Sequence, residues 1–407
     1  MTPFRRLSPS RIALIAAAAA LTLVSGCGAK NGAGSAEAAA PGQGGGDAKL
    51  QTTLADPAPE GALPLKNDTL AEGLVNPWSL AFLPDGAILV TERPGRLRVI
   101  RDGRLVAEPV AGVPEVLSWN QGGLFDVLPH PDFANNRLLY LSYAQGTRAA
   151  NATRIARATF DGAALSDVTV LYDAVPEKDT GHHFGARLAW GGDGKLYATI
   201  GEGSRYKERA QEMNSSFGSV VRLNEDGSIP DGNPVFGGGE RKELWTKGHR
   251  NGQGLAYDAG RGVLWEHEHG PRGGDEINII EAGANYGWPL ASYGVDYSGA
   301  RITPYTEYSG TKQPFKYWTP SIGPSGLAVY RGDVFPADWD GDLLVGAMAE
   351  RSLHRVDLDG MNEAGEERYL VGERVRDVRV GPDGAIYVTT EGDGEPTGKV
   401  LRLTPAP

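Results

Sequence analysis

One phrase recurs along the chain: an apolar pair, a Pro/Gly-Asp-Gly turn, then an alternating apolar strand closing on Thr or Glu. Its clearest copies are Leu80 to Glu92 (LAFLPDGAILVTE), Leu188 to Glu202 (LAWGGDGKLYATIGE) and Val378 to Glu391 (VRVGPDGAIYVTTE). Looser copies run from Leu255 to Glu266 and from Phe125 to Ser142, with a further Asp-Gly strand at Gly341 to Ala347. Asp-Gly between apolar runs marks a hairpin, because glycine accepts positive φ without steric cost. Period-two alternation then marks half-buried strands. Helical periodicity is nearly absent; the best candidate is a short piece around Lys207 to Asn214. Copies spaced by roughly 45 to 80 residues, each made of a few short strands, predict an all-β fold, a six-bladed β-propeller with four-stranded blades. An array of β-sandwiches is the competing arrangement. Blades stacked around an axis leave a channel, and the loops at its mouth are where function is expected.

The N-terminus reads differently. Arg5, Arg6 and Arg11 precede an apolar run from Ile12 to Val24, which ends in Val24-Ser25-Gly26-Cys27. This is the pattern of a secretory signal over residues 1–26. The run is about 13 residues, short of the roughly 20 that a membrane-spanning helix needs. Cys27 is the only cysteine. Its place directly after the small residues resembles the lipid-modified cysteine of bacterial lipoproteins, rather than an inert buried thiol. Gly28 stands where inner-membrane retention signals carry Asp. The expectation is an exported protein, lipid-anchored at the outer membrane and facing the periplasm, with membrane contact through the anchor only. Residues 27–62 are rich in Gly, Ala, Ser, Pro and Gln, which predicts a flexible tether. Residues 63–407 form the propeller domain, and no cysteine remains there to make a disulfide. The formal charge is -11; removing the three signal arginines leaves about -14, which argues against nucleic-acid binding.

Four loop clusters carry candidate chemistry. Gly181-His182-His183-Phe184-Gly185-Ala186-Arg187 can present an imidazole, the natural base near neutral pH; a plain surface histidine fits it equally. Lys247-Gly248-His249-Arg250-Asn251-Gly252-Gln253-Gly254 offers donors on a free backbone, as does an ordinary Gly-rich turn. Glu266 to Glu276 alternates Glu and His but lacks the spacing of a zinc site; Glu276 and the carbonyls of Gly270 and Pro271 suit a hard cation better. Arg374 and Arg376 alternate on one strand face, fit to clamp carboxylates or to form ordinary edge ion pairs. Aromatic residues crowd the stretch after Glu276, including Tyr286, Trp288, Tyr293, Tyr297, Tyr305 and Tyr308, for stacking or for packing.

Taken together, from Leu74 to Leu403, the chain resembles the soluble PQQ-dependent glucose/sorbosone dehydrogenase family, and within it the bacterial aldose sugar dehydrogenases. The phrases that carry the resemblance are Asn120-Gln121-Gly122-Gly123-Leu124, Gly181 to Gly185, Arg250-Asn251 with Gln253-Gly254, Glu268 to Asn278, Asn285-Tyr286-Gly287-Trp288-Pro289, and Arg374 to Arg379. The resemblance implies a six-bladed propeller that oxidises an aldose with PQQ and Ca2+, passing electrons to a quinone or small redox carrier. It implies that His183 is the general base at the anomeric hydroxyl and that Arg250 and Asn251 contact the quinone oxygens. Gln121 and Tyr297 match further cofactor contacts, and Arg374 and Arg376 the pair that binds its carboxylates. Gly270 and Pro271 match carbonyl ligands of a calcium that also touches PQQ; Glu276 and Tyr286 match ligands of a second, structural calcium.

One departure stands out. Where the family has a lysine facing PQQ, this chain reads Gly346-Ala347-Met348-Ala349-Glu350-Arg351, which puts Ala349 at the lysine position and leaves Ala347, Met348 and Ala349 as a pocket wall. His182 also stands where some relatives carry an acid. Two other readings remain open at this stage: a calcium-dependent propeller lactonase or other hydrolase, and a non-catalytic propeller that binds sugar or protein.

Overall fold

The structure, a computed structural model, describes residues 57–237, 241–392 and 396–407. The expected signal and most of the expected tether, residues 1–56, lie outside the described residues. The first strand is β1 (Leu65–Leu74). Blade one then follows as β2 (Pro77–Phe82), β3 (Ile88–Glu92), β4 (Arg96–Arg101) and β5 (Arg104–Leu105). Blade two is β6 (Leu124–Pro129), β7 (Leu138–Gly146), β8 (Asn151–Phe160) and β9 (Leu165–Asp173). Blade three is β10 (Gly185–Trp190), β11 (Leu196–Ile200), β12 (Ser219–Leu223) and β13 (Leu244–Lys247). Blade four is β14 (Gly252–Asp258), β15 (Val263–Glu268), β16 (Asp275–Ile280) and β17 (Lys316–Trp318). Blade five is β18 (Pro324–Val329), β19 (Leu343–Ala347), β20 (Ser352–Asp359) and β21 (Asn362–Leu370). Blade six is β22 (Arg374–Val380), β23 (Ile386–Glu391) and β24 (Gly398–Pro405), completed on its outer edge by β1.

The six antiparallel four-stranded blades are those the repeat predicts. Blade six joins the two ends of the chain, with Leu65 opposite Pro405 and Leu74 opposite Gly398, so the ring closes by strand pairing. Each recurring phrase is the innermost hairpin of a blade. In three of them Gly86, Gly194 and Gly384 take φ of 84°, 72° and 76°, while the preceding Asp carboxylate accepts the amide two residues on. The helical piece expected near Lys207 is a single 3-10 stretch, Lys207–Gln211.

Residues 59–61, within the segment expected to be tether, pair with blade five. Arg368 donates its amide to the Pro59 carbonyl (2.8 Å), and Gly61 donates to the Arg368 carbonyl (2.9 Å). The exposed edge of β21 recruits this backbone, because an unpaired strand edge satisfies its hydrogen bonds where it can.

Apolar layers between blades supply most of the core; one packs Leu89, Leu97, Leu139, Leu141 and Phe160 between blades one and two. The axis is polar. Arg187 is 1% exposed, with Nη1 3.0 Å from Asp377 and 3.6 Å from Asp126, and its guanidinium stacks 4.1 Å over Trp78. Arg379 reaches both acids at 3.3 Å. Asp126 also accepts Leu188 N–H and Ser79 O–H, and Asp377 accepts Leu80 N–H. These two carboxylates therefore tie together the innermost strands of blades one, two, three and six, and close the channel floor.

Candidate active site

Above that floor lies an axial cavity of about 320 Å³, lined by residues from blades one to six that include Trp78, Gln121, Phe184, Asn251, Met348 and Arg376. Innermost strands begin at this end and second strands finish here. The loops that enter β10, β14 and β22 and those that leave β3, β11, β15 and β23 thus converge on one mouth.

His183 sits on the loop before β10 with φ of 49°, a left-handed conformation uncommon outside glycine, and is 7% exposed. Gln121 Oε1 accepts its backbone N–H at 2.8 Å, and Gln121 N–H donates back to Gly181 O at 2.9 Å. His183 Nδ1 lies 2.9 Å from Oε1 of Glu202, which follows β11 and is 1% exposed. A Cβ on Gly201 would stand 2.3 Å from the His183 carbonyl oxygen, so only glycine lets these two segments approach. Burial lowers the His183 pKa below the usual imidazole value; Glu202 opposes this, while the charges of Arg250 and Lys178 reinforce it. This lowering favours the neutral imidazole, and with Nδ1–H donated to the Glu202 carboxylate the lone pair falls on Nε2.

Arg250 Nη1 donates to the carbonyls of His269 (3.0 Å) and Gly270 (2.7 Å), with its guanidinium 5.4 Å from the centre of the Trp288 ring. Glu268 Oε2 accepts the backbone amides of Arg250 and, at 3.2 Å, of Asn251. Asn251 Oδ1 in turn accepts Gly185 N–H at 3.0 Å and ties blade four to the His183 loop. Arg374 and Arg376 share one carboxylate: Glu391 receives Arg376 Nε at 3.1 Å and Arg374 Nε at 3.5 Å. With Arg93, the cavity presents three guanidinium groups against the single acid Glu391. Trp78, Phe125 and Phe184 form an apolar cluster at its base, with ring centres 5.5 and 5.4 Å apart in succession.

Gly270, Pro271, Glu276 and Tyr286 come together at a second, much smaller cavity of about 10 Å³, which Glu268 and Arg250 also line. Burial, reinforced by Glu268, pushes the Glu276 and Glu266 carboxyls well above the usual range. Glu266 Oε1 is buried without a hydrogen-bond partner among the described residues. The Tyr286 hydroxyl donates to Ile279 O at 2.5 Å and its ring stacks on His249, so any metal ligand from this residue is its backbone carbonyl.

Three expected cofactor contacts lie elsewhere. Tyr297 is 70% exposed, on the long connection between β16 and β17, and lines neither cavity. Ala347 is fully buried between blades, and Ala349 is exposed with its amide donated to Ile322 O, so only Met348 of the expected wall faces the cavity. Alternation at the end of β19 explains this, since successive side chains point to opposite sides. Arg351 does not replace the missing lysine there; it lines a separate cavity with Glu72, Glu373 and Lys399.

The residues missed in the sequence are acids. Glu202, Glu268 and Glu391 each close the second strand of a recurring hairpin, or directly follow it, and each orients a functional group. For Glu202 and Glu391 the signal was present, because two copies of the repeated phrase end on them.

A family model described as Glucose / Sorbosone dehydrogenase matches residues 74–402. The chain is 41% identical to "Aldose sugar dehydrogenase YliI" of Escherichia coli over 83% of this chain and 92% of that one. A solved glucose dehydrogenase superposes with a TM-score of 0.80 at 44% identity, covering 84% of this chain and all of the other. The PQQ-bound aldose sugar dehydrogenase of Streptomyces coelicolor superposes at 0.68 with 30% identity, over 84% of this chain and 99% of that one.

Proposed function

The chain belongs to the glucose/sorbosone dehydrogenase family, and from that premise we propose that it is a PQQ- and calcium-dependent aldose dehydrogenase, oxidising the sugar at its anomeric carbon to a lactone. The observation that carries this reading is the placing of a carboxylate-oriented imidazole, His183 on Glu202, beside a cavity bearing Arg93, Arg374 and Arg376.

The residues present fit the cofactor. A planar polycarboxylate needs guanidinium donors at its rim and an apolar face, and the cavity supplies both. They fit the cation as well. The small cavity is lined by Glu268, Glu276, Gly270 and Pro271, which offer carboxylate and carbonyl oxygens, and the Glu276 carboxyl, raised by burial and then by the Glu268 charge, gains from a divalent cation. When bound, PQQ supplies the two-electron acceptor and calcium polarises its quinone.

The chain's own residues do the rest. His183 Nε2 takes the proton from the anomeric hydroxyl, and Glu202 holds the ring and stabilises the imidazolium as it forms. Arg250, fixed by the two carbonyls, offers a positive charge where negative charge develops. Arg374 and Arg376 bind carboxylates. Trp78, Phe125 and Phe184 keep water from the cavity base. A quinone or a small redox carrier would serve as the electron acceptor. The signal-like N-terminus with Cys27 supports an exported, lipid-anchored enzyme.

The test is aldose oxidation by apo-protein with an artificial electron acceptor, with and without PQQ and Ca2+. Activity that requires both supports the reading. Lactone hydrolysis without PQQ, or no PQQ binding, overturns it.

A further inference from the structure

Lys178 is 3% exposed, yet its amine has no carboxylate in direct contact among the described residues. Its Nζ donates to the carbonyl of His182 and lies 3.4 Å from the centre of the Phe184 ring. Its backbone is fixed by a reciprocal pair of 2.8 Å hydrogen bonds with Asn151. Its stem passes under Gly203, where a Cβ would meet Lys178 Cδ at 2.9 Å. Gly203 N–H donates to His183 O at 3.2 Å, and Thr180 Oγ1 donates to Gly203 O at 2.6 Å. Lys178 therefore fills the wedge between the segment that carries His183 and the segment that carries Glu202.

Packing alone does not account for a lysine here. Burying an ammonium is costly, and an apolar side chain of similar length would fill the wedge without that cost. The Phe184 ring face and one carbonyl offset only part of it. We propose that Lys178 is a positioning residue for the reaction: wedged between the His183 and Glu202 segments, with its amine held by the His182 carbonyl and the Phe184 ring face, it seats the His182–Phe184 backbone and acts on the His183 imidazole. This deepens the reading of His183 as the base and rests on it.

The charged groups around the wedge are few. Glu202 faces Lys178 from the end of β11, His182 and His183 face it from its own loop, and Arg250 faces His183 from the blade-four side. Asp179 is turned outward to Tyr206 and Arg205. Burial pulls the Lys178 pKa down to about 7 against the opposing charge of Glu202, and the Lys178 charge lowers both His182 and His183.

The experiment follows the His183 ring by NMR through a pH titration of apo-protein, alongside the pH profile of the holoenzyme, for wild type, Lys178→Met and Lys178→Arg. In Lys178→Met the His183 titration and the acid limb of kcat/KM both move to higher pH. Its kcat falls roughly tenfold to a hundredfold with KM little changed, and Lys178→Arg recovers part of each. An unmoved titration and limb in a folded Lys178→Met overturn the proposal, even if turnover falls. Should Lys178→Met not fold, the Lys178 ammonium is titrated in Glu202→Gln against wild type: a fall in its pKa supports the electrostatic link, and no change overturns it. The apo-protein readings need no turnover. A fully active His183→Ala would instead sink the base assignment itself.

Discussion

Glu202 Oε1 stands 2.9 Å from His183 Nδ1, and fewer than one-tenth of either side chain's surface reaches solvent. The pair fixes which imidazole nitrogen can accept a proton. Replacing the base by His183→Ala should lower kcat by about 10²–10⁴ while leaving the thermal midpoint of the apo-protein close to wild type. Glu202→Gln keeps the shape and removes the charge, so a smaller loss in kcat is expected, with KM for the aldose nearly unchanged. Steady-state kinetics on reconstituted enzyme checks both.

The pH dependence follows from the sign of the His183 shift. A base works only when unprotonated, so activity is lost as pH falls through its folded pKa. Burial places that pKa below the ordinary value of about 6.5. The acid limb of kcat/KM should therefore lie below pH 6.5, and Glu202→Gln, which removes a group that raises His183, should move it lower still. An acid limb that rises in Glu202→Gln would contradict this assignment.

Arg374 and Arg376 should act on cofactor affinity more than on chemistry. Loss of one charged hydrogen bond costs about 1.5–3 kcal/mol. Arg376→Ala should thus weaken PQQ binding by roughly 10- to 100-fold, and added salt should weaken it further in wild type than in the variant. Fluorescence or absorbance titration of apo-protein with PQQ measures this directly.

At the closed axis, Asp377 pairs with Arg187 at 3.0 Å in a fully buried site. Removing the acid leaves Arg187 and Arg379 with Asp126 as their shared partner, so Asp377→Ala should cost about 3–5 kcal/mol. Thermal or denaturant unfolding of apo-protein reads the loss, and a variant as stable as wild type would show that the network is dispensable.

His354 is a second buried imidazole with a stability role. Burial opposes its charge, but Glu350 (3.2 Å) and Glu366 (2.7 Å) more than offset it and raise the folded pKa above the ordinary value. Its contribution is fully present below about pH 6.5 and is lost as pH rises through the raised value. Glu366 runs the other way: burial would raise it, but His354 and Lys316 draw it to about 2, so its contribution is present above about pH 4.5 and fades as pH falls toward 2. His354→Phe should flatten the alkaline side of a stability–pH curve, measured by unfolding midpoints.

Much of this was legible in the sequence, for reasons that differ from residue to residue. The blades were readable because each innermost hairpin repeats the same Asp-Gly turn, whose geometry is local. Gln121, Asn251, Arg374 and Arg376 were readable through the phrases that hold them, and they do line one cavity. Tyr297 was not, since the path of the connection between β16 and β17 depends on contacts that no local pattern encodes. Ala347 and Ala349 failed on strand phase: the cavity-facing position at the end of β19 is Met348. Glu202, Glu268 and Glu391 were overlooked because each lies far in sequence from the group it orients, although all three stand at or just beyond the end of the second strand of an innermost hairpin.

In the proposed reaction His183, as the base at the anomeric hydroxyl, drives oxidation of the sugar's anomeric C–H bond. The most direct measurement is stopped-flow single-turnover reduction of the reconstituted enzyme, using an aldose and its 1-deuterated form, in wild type and His183→Ala. The expected result is reduction of the bound quinone with a primary isotope effect in wild type and a rate lower by about 10²–10⁴ in the variant. Reduction at equal rates in the two proteins, or none with any aldose while PQQ is bound, would contradict it.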